Sequence, residues 1–338
     1  MALINELYKQ FPPRKLNILT NRPFDFTAST RIGKYILRLL LPFTLTLILS
    51  LLILSIHGCS RQEDKGKGLP PVLRIGLLPH ESKVILIKHY TPLFQYLSEE
   101  LEVPYELKIP SDYDDLLRQF DEGEIDLAFF GGITFLKANQ KSGAVPLVMR
   151  DIDVHFTSYV ISSTARPARN LEDFEGKTFT FGSALSTSGH YMPRYFLQER
   201  KIIPETFFSK VEYSGSHDKT ALWIRDGIVD IGAVNPRILE EMILDGRLSS
   251  SDIHVVWETP PFSNYVWATQ ANIKQSARVK IRDVFLLLSP ANDTHASILL
   301  GVNAGGFLPA SMDDFTQLQK IALKTGLLRT TYGPDKDL

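Results

Sequence analysis

The chain has 338 residues, 44% of them hydrophobic, and its 37 basic and 38 acidic side chains give a formal charge of -1. That length holds one or two domains with ample core, and the lack of a basic surplus argues against nucleic acid as a partner. Cys59 is the single cysteine and lies at the end of a hydrophobic segment, which excludes an internal disulfide framework, a thiolate metal cluster and a catalytic cysteine.

Residues 1–30 show little periodicity and are broken by Pro12, Pro13 and Pro23; they read as a leader of uncertain role, consistent with a mis-assigned start. Residues 31–58 have the layout of a secretory signal: basic Arg31, Lys34 and Arg38, an apolar run over 39–56, then Gly58 before Cys59. The Gly-Cys ending resembles a bacterial lipobox, in which Cys59 takes lipid and becomes the mature N-terminus. A run of about 18 apolar residues also nearly spans a bilayer, so a retained helix is the other reading. Either way the remainder lies outside the cytoplasmic membrane, anchored to it, and the polar residues 59–70 form a flexible tether.

From residue 72 short apolar runs alternate with helical periodicity. Strands are expected over 72–78, 105–109 and 125–130, with helices over 84–101 and 113–120 between them, as in an α/β domain with a doubly wound sheet. Glu81-Ser82, Ser111-Asp112 and Gly131-Gly132 place helix starts at the carboxyl ends of those strands, the edge where open α/β sheets hold ligands. After a strand at 145–149, residues 156–163 lead to a second lobe. There the alternation restarts: strands at 178–181, 211–213 and 231–234, and helices from Tyr191, from about His217 and from Pro236, a residue suited to a first helical position. Residues 253–257 and 265–269 form the return, with later helices within 273–288 and 312–327. The division is therefore 71–157 plus 265–338 for lobe 1 and 158–264 for lobe 2, two α/β lobes joined by two crossings around a hinge and an interlobe cleft.

The stretch at the centre of this layout is Phe181-Gly182-Ser183-Ala184-Leu185-Ser186-Thr187-Ser188-Gly189-His190-Tyr191. It joins a strand to a helix, where unpaired backbone N–H groups and the positive end of the helix dipole favour an anion. Ser186, Thr187 and Ser188 each offer a hydroxyl donor, and Gly189 permits close backbone approach. Helix capping by Ser186 or Ser188 explains the serines equally well.

Together with Asp112-Tyr113, the run from Gly123 to Gly131, Gly215-Ser216-His217-Asp218 and Gly306-Phe307-Leu308-Pro309-Ala310, this motif resembles the phosphate, phosphite and phosphonate-binding proteins of ABC importers. The resemblance spans nearly all of residues 72–327. It implies a type II periplasmic-binding fold and ligand contacts at Ser186, Thr187, Ser188 and Gly189, with His217 beside them and Tyr113 from the opposite lobe. It also implies capture of a small phosphorus oxyanion and delivery to an ABC permease and its ATPase by a monomer without cofactor. Phe156 stands where relatives often carry a second tyrosine. Near Asn264, relatives that grip an aminophosphonate carry a carboxylate, whereas Asn264 is neutral, so phosphate, phosphite or a simple alkylphosphonate is the expected ligand.

Other readings stand beside this one. Asn235 lines the cleft or caps the helix at Pro236; Tyr113 and Tyr191 are cleft walls or core. Asp112, Asp114 and Asp115 fit the first turn of a helix better than a metal site, and no metal ligands are assigned. His190 is taken as structural. The sequence holds no Gly-x-Ser-x-Gly elbow, P-loop or His-Glu-x-x-His, so a serine hydrolase built on Ser188 and His217 ranks last, behind a membrane-tethered sensor acting on a separate partner.

Overall fold

The computed structural model describes residues 68–328, except 166, 167, 169 and 326. The leader, the signal segment, Cys59 and most of the tether lie outside the described residues. Among the described residues, no helix is long and apolar enough to cross a membrane.

The first lobe alternates β1 (Leu73–Leu77), α1 (Lys83–Leu101), β2 (Tyr105–Lys108), α2 (Tyr113–Asp121), β3 (Leu127–Phe130), α3 (Gly132–Ser142) and β4 (Val145–Arg150). Burial follows position in the sheet: the inner strand β3 is buried throughout, whereas the edge strand β2 has no fully buried residue, as expected when helices cover both faces. Local chemistry sets the helix ends. The Asp112 carboxylate accepts the Asp115 N–H at 2.8 Å to start α2, and Gly143 ends α3 at a φ of 70°. Asp115 in turn binds Ser111, Arg118 and Gln119, so these acids are occupied as cap and first-turn residues.

The second lobe comprises β5 (Tyr159–Ser163), β6 (Thr178–Phe181), α4 (Met192–Glu199), α5 (Pro204–Phe207), β7 (Lys210–Tyr213), α6 (His217–Arg225), β8 (Ile231–Val234), α7 (Pro236–Leu244) and β9 (Ile253–Glu258). The chain then returns to the first lobe through β10 (Val266–Thr269), α8 (Gln275–Leu287), α9 (Asp293–Gly301), β11 (Phe307–Pro309) and α10 (Thr316–Lys324).

The strand orders are β11-β4-β10-β3-β1-β2 and β7-β6-β8-β5-β9. Both sheets are mixed, as doubly wound sheets often are. In each, four strands run the same way, but β10 is antiparallel to β3 and β4, β11 is antiparallel to β4, and β5 is antiparallel to β8 and β9. The cause is the crossings: β5 and β10 are the first strands after the chain changes lobe, and each enters its new sheet running backwards.

The crossings themselves pair. Phe156 and Phe262 exchange both backbone hydrogen bonds, at 2.9 and 2.8 Å, and the Thr259 N–H donates to the Ser158 carbonyl at 3.0 Å. Two adjacent antiparallel segments therefore connect the lobes. Helix α9 and strand β11 were not anticipated from the sequence; the Asn292 side chain caps α9 by accepting the His295 N–H. Ahead of α4, residues Thr187–Tyr191 form a π-helical turn rather than a simple α-helix start, the kind of irregular turn that recurs at functional sites.

Candidate functional site

The central motif lies where the two lobes meet. Ser186 begins the π turn, and its Oγ accepts the Gly189 N–H at 2.9 Å. The Gly182 N–H donates to the Gly189 carbonyl at 2.9 Å, which folds the loop back on strand β6. Ser186 is thus a cap, and its cap shapes the turn that carries Thr187 and Ser188. All three hydroxyl residues are at most 2% exposed.

The opposite lobe closes over them. At the start of α3, the Ile133 N–H donates to Thr187 Oγ1 at 2.9 Å. Nearby, the His217 N–H donates to the His80 carbonyl at 3.0 Å, and the Ser82 N–H to Asp218 Oδ2 at 3.0 Å. The motif and the N-termini of α3 and α6 therefore share one junction, and helix N-termini favour anions.

His217 is completely buried, and burial followed by the proximity of His80 pushes its pKa down to about 3. It is therefore neutral, with one proton to place. Its Nδ1 faces the Asn235 N–H at 3.1 Å and so accepts; the proton sits on Nε2, which lies 3.4 Å from Ser186 Oγ. A histidine protonated on that nitrogen donates to an oxyanion but does not take a serine proton, so this pair lacks the arrangement of a nucleophile and its base.

Tyr113 also reaches the motif. Its Oη is buried beside Ser186, and Ser188 Oγ is buried beside Tyr265, yet neither atom makes a hydrogen bond of good geometry within the protein. Both side-chain atoms of Asn264 are likewise buried without partners. Leaving such groups unpaired costs about 1–3 kcal/mol each, a cost that a ligand rich in acceptors removes at the hydroxyls. Asn235 does two things at once: its Oδ1 accepts the Arg237 N–H at 2.8 Å, capping α7, and its Nδ2 donates to Tyr265 Oη at 3.2 Å across the lobes. Phe156 supplies an apolar ring, edge-on to Tyr265 at 5.9 Å.

Residues 75–315 match the family of periplasmic substrate-binding proteins of phosphonate ABC transporters. The chain belongs to that family. Its members bind substrate outside the cytoplasm rather than transform it. A probable ABC-transporter phosphite-binding protein of Prochlorococcus marinus is 28% identical over 272 residues, covering 77% of this chain and 92% of that protein. The phosphonates-binding periplasmic protein of Escherichia coli is 26% identical over 255 residues, covering 73% and 72%. Among solved structures, the methylphosphonate complex of a Prochlorococcus marinus protein superimposes with a TM-score of 0.72 at 26% identity, covering 77% of this chain and all of that one.

Several residues that shape this binding protein's site went unread in its sequence. Tyr265 stacks on Phe129 at 5.0 Å and an interplanar angle of 12°, which fixes its hydroxyl from the core side. Beneath both rings lies Arg150, whose guanidinium carbon is 5.4 and 5.3 Å from their centroids. Arg150 forms a two-pronged ion pair with Asp153, at 2.6 and 3.0 Å, and donates to the Val302 carbonyl at 2.7 Å. A signal for this pair existed, since an arginine and an aspartate three residues apart follow an apolar strand, but nothing local says that they are buried.

His190 is structural. Its Nδ1 donates to the Ala184 carbonyl at 2.6 Å, and Nε2 meets Arg194 and Tyr213; burial lowers its pKa to about 4. Both His190 and His217 are thus lowered from 6.5 in the folded state. Below about pH 6.5 the unfolded chain takes up these protons first, so the stabilisation is complete above that pH and declines as pH falls toward 4. Each histidine contributes a slope of about 1.4 kcal/mol per pH unit across that window. Urea midpoints measured from pH 7 to pH 5 should fall, and the fall should be shallower in His190→Gln; equal slopes would show that His190 is not buried neutral.

Proposed function

We propose that the chain captures a small phosphorus oxyanion, phosphate, phosphite or a simple alkylphosphonate, by closing its lobes, and hands it to an ABC permease driven by an ATPase. The observation that carries this reading is a buried, wholly neutral donor set at the lobe junction. The hydroxyls of Ser186, Thr187, Ser188 and Tyr113 and the Nε2–H of His217 lie near one another at the lobe junction, and among the described residues no cation is bonded to them. Hydrogen bonds to a charged ligand contribute about 1.5–3 kcal/mol each, so a few support micromolar or tighter binding after entropy costs. Closing the lobes excludes water and strengthens each of them.

The ligand class draws support from relatives whose names specify phosphite and phosphonates and from the methylphosphonate complex. Asn264 lacks the charge that would hold an ammonium, so an aminoalkylphosphonate gains nothing from its amine. Ser188→Ala removes one hydroxyl that has no structural partner; it should weaken oxyanion binding by about tenfold or more while leaving the fold unchanged. Calorimetry decides this, and undiminished affinity in a folded variant would remove Ser188 from the site.

We further propose anchorage through lipid on Cys59, with an uncleaved apolar helix over 39–56 as the alternative. Cys59→Ser should then lose incorporation of labelled lipid in cells, whereas persistent labelling would place the modification elsewhere.

A further inference from the structure

The lobes enclose a small space lined in part by Tyr265 and Asn235. Its lining includes His80, Glu81, His89, Asn235, Glu241 and Asn303. It offers about 10 Å³ to the centre of a water-sized body, room for a single water or ion. Glu81 follows β1 and His89 lies on α1, both in the first lobe; Glu241 lies on α7 of the second.

We propose that Glu81, His89 and Glu241 bind one divalent transition-metal ion, of the zinc class, across the lobe boundary. One ligand atom from each residue lies within 4.8 Å of the others, and His89 Nδ1 is 3.8 Å from Glu241 Oε1. Small side-chain rotations bring such a set to the ~2.0–2.2 Å bonds of a zinc site with an open fourth position. One imidazole and two carboxylates suit zinc, cobalt or manganese better than calcium or magnesium, which favour all-oxygen ligands.

An independent observation also points to a cation. The Glu81 side chain is only 2% exposed, and its Oε2 has no hydrogen-bond partner. Of the nearby cations, Arg150 is held by Asp153 at 2.6 Å and Arg237 by Glu240 at 2.8 Å, whereas Asp245 takes only Nε of Arg247, at 2.8 Å, and the buried Nη2 of Arg247 has no hydrogen-bond partner. Arg247 Nη1 comes no closer to Glu81 than 3.8 Å, and His80 Nε2 stands 3.9 Å away. On Glu241, Oε1 accepts from Asn303 Nδ2. Two carboxylates are thus left facing each other without a full countercharge, and His89 and Glu241 are exposed enough to admit an ion. Because the ligands come from both lobes, the bound ion would hold the hinge shut; this consequence rests on the lobe closure proposed above.

The test is a titration of the chelator-treated full chain with Co²⁺ and Zn²⁺, with metal alone and again with methylphosphonate present, so that failure of the oxyanion reading leaves the metal-alone arm intact. The expected result is saturable binding at one ion per chain, a visible cobalt absorption band displaced by zinc, and at least tenfold weaker binding in His89→Ala and in Glu241→Gln. His89 and Glu241 are part-exposed, so these variants should fold, which circular dichroism checks. No saturable binding in either arm, or wild-type affinity in both folded variants, would overturn the proposal.

Discussion

Gly189→Ala should abolish measurable oxyanion binding in a protein that still folds. A Cβ built at Gly189 would come within 2.8 Å of His217 Cε1 and 2.9 Å of Ser186 Oγ, closer than real contacts permit. Neither neighbour is free to retreat. The ring of His217 is fixed by the Asn235 N–H on Nδ1, and Ser186 Oγ is fixed by the Gly189 N–H itself. Relief requires opening the π turn, which displaces several donors together. Overpacking of this kind costs about 1–3 kcal/mol of stability, whereas losing two or three charge-assisted hydrogen bonds at ~1.5–3 kcal/mol each removes at least two to three orders of magnitude in affinity. Equilibrium binding paired with a thermal melt separates the two effects. Near-normal affinity would mean that the turn does not hold the ligand.

Arg150→Met should be the most destabilising single change near the site, by about 3–5 kcal/mol. The substitution leaves Asp153, which is 0% exposed, as an unpaired buried carboxylate, and removes the donor to the Val302 carbonyl. Burial opposes the Arg150 charge, but Asp153, Tyr90 and Tyr265 together outweigh it and raise the guanidinium pKa, whereas burial raises the pKa of the Asp153 carboxyl and Arg150 works against that rise. The pair also anchors the hinge, because the Asp153 carbonyl accepts the Asn264 N–H of the second crossing at 3.0 Å. Removing both charges in Arg150→Met/Asp153→Leu should recover much of the loss, since an apolar pair of similar volume often matches a buried ion pair. Urea denaturation of the two singles and the double measures the coupling; additive losses would show that the two charges act independently.

The alternating pattern of apolar runs and helical periods carried the order of elements well, because strands such as β3 and β8 are buried on both faces and so appear as unbroken apolar runs. It did not carry strand direction: the backward entry of β5 and β10 into their sheets is decided by the crossings, not by residues within those strands. Helix α9 was passed over because its exposed Leu300 and short span gave no clear amphipathic period. At the site, the hydroxyl run was legible as a local motif, and His217 and Tyr113 only through a family likeness. Tyr265, Arg150, Asp153 and the Glu81–His89–Glu241 group depend on contacts between residues far apart in the chain, and no local pattern marks them. Asn235 shows the limit from the other side: cap and cleft residue were posed as alternatives, and its Oδ1 caps α7 while its Nδ2 donates to Tyr265 Oη.

The most direct test of the account is calorimetric titration of the purified protein, and of its folded Ser188→Ala variant, with phosphate, phosphite, methylphosphonate and an aminoalkylphosphonate. The account predicts saturable binding of one ligand per chain for at least one of the first three, no advantage for the amine, and binding weaker by about tenfold or more in the variant. Absence of heat from all four, or equal affinity in wild type and variant, would contradict the neutral hydroxyl clamp at Ser186, Thr187 and Ser188.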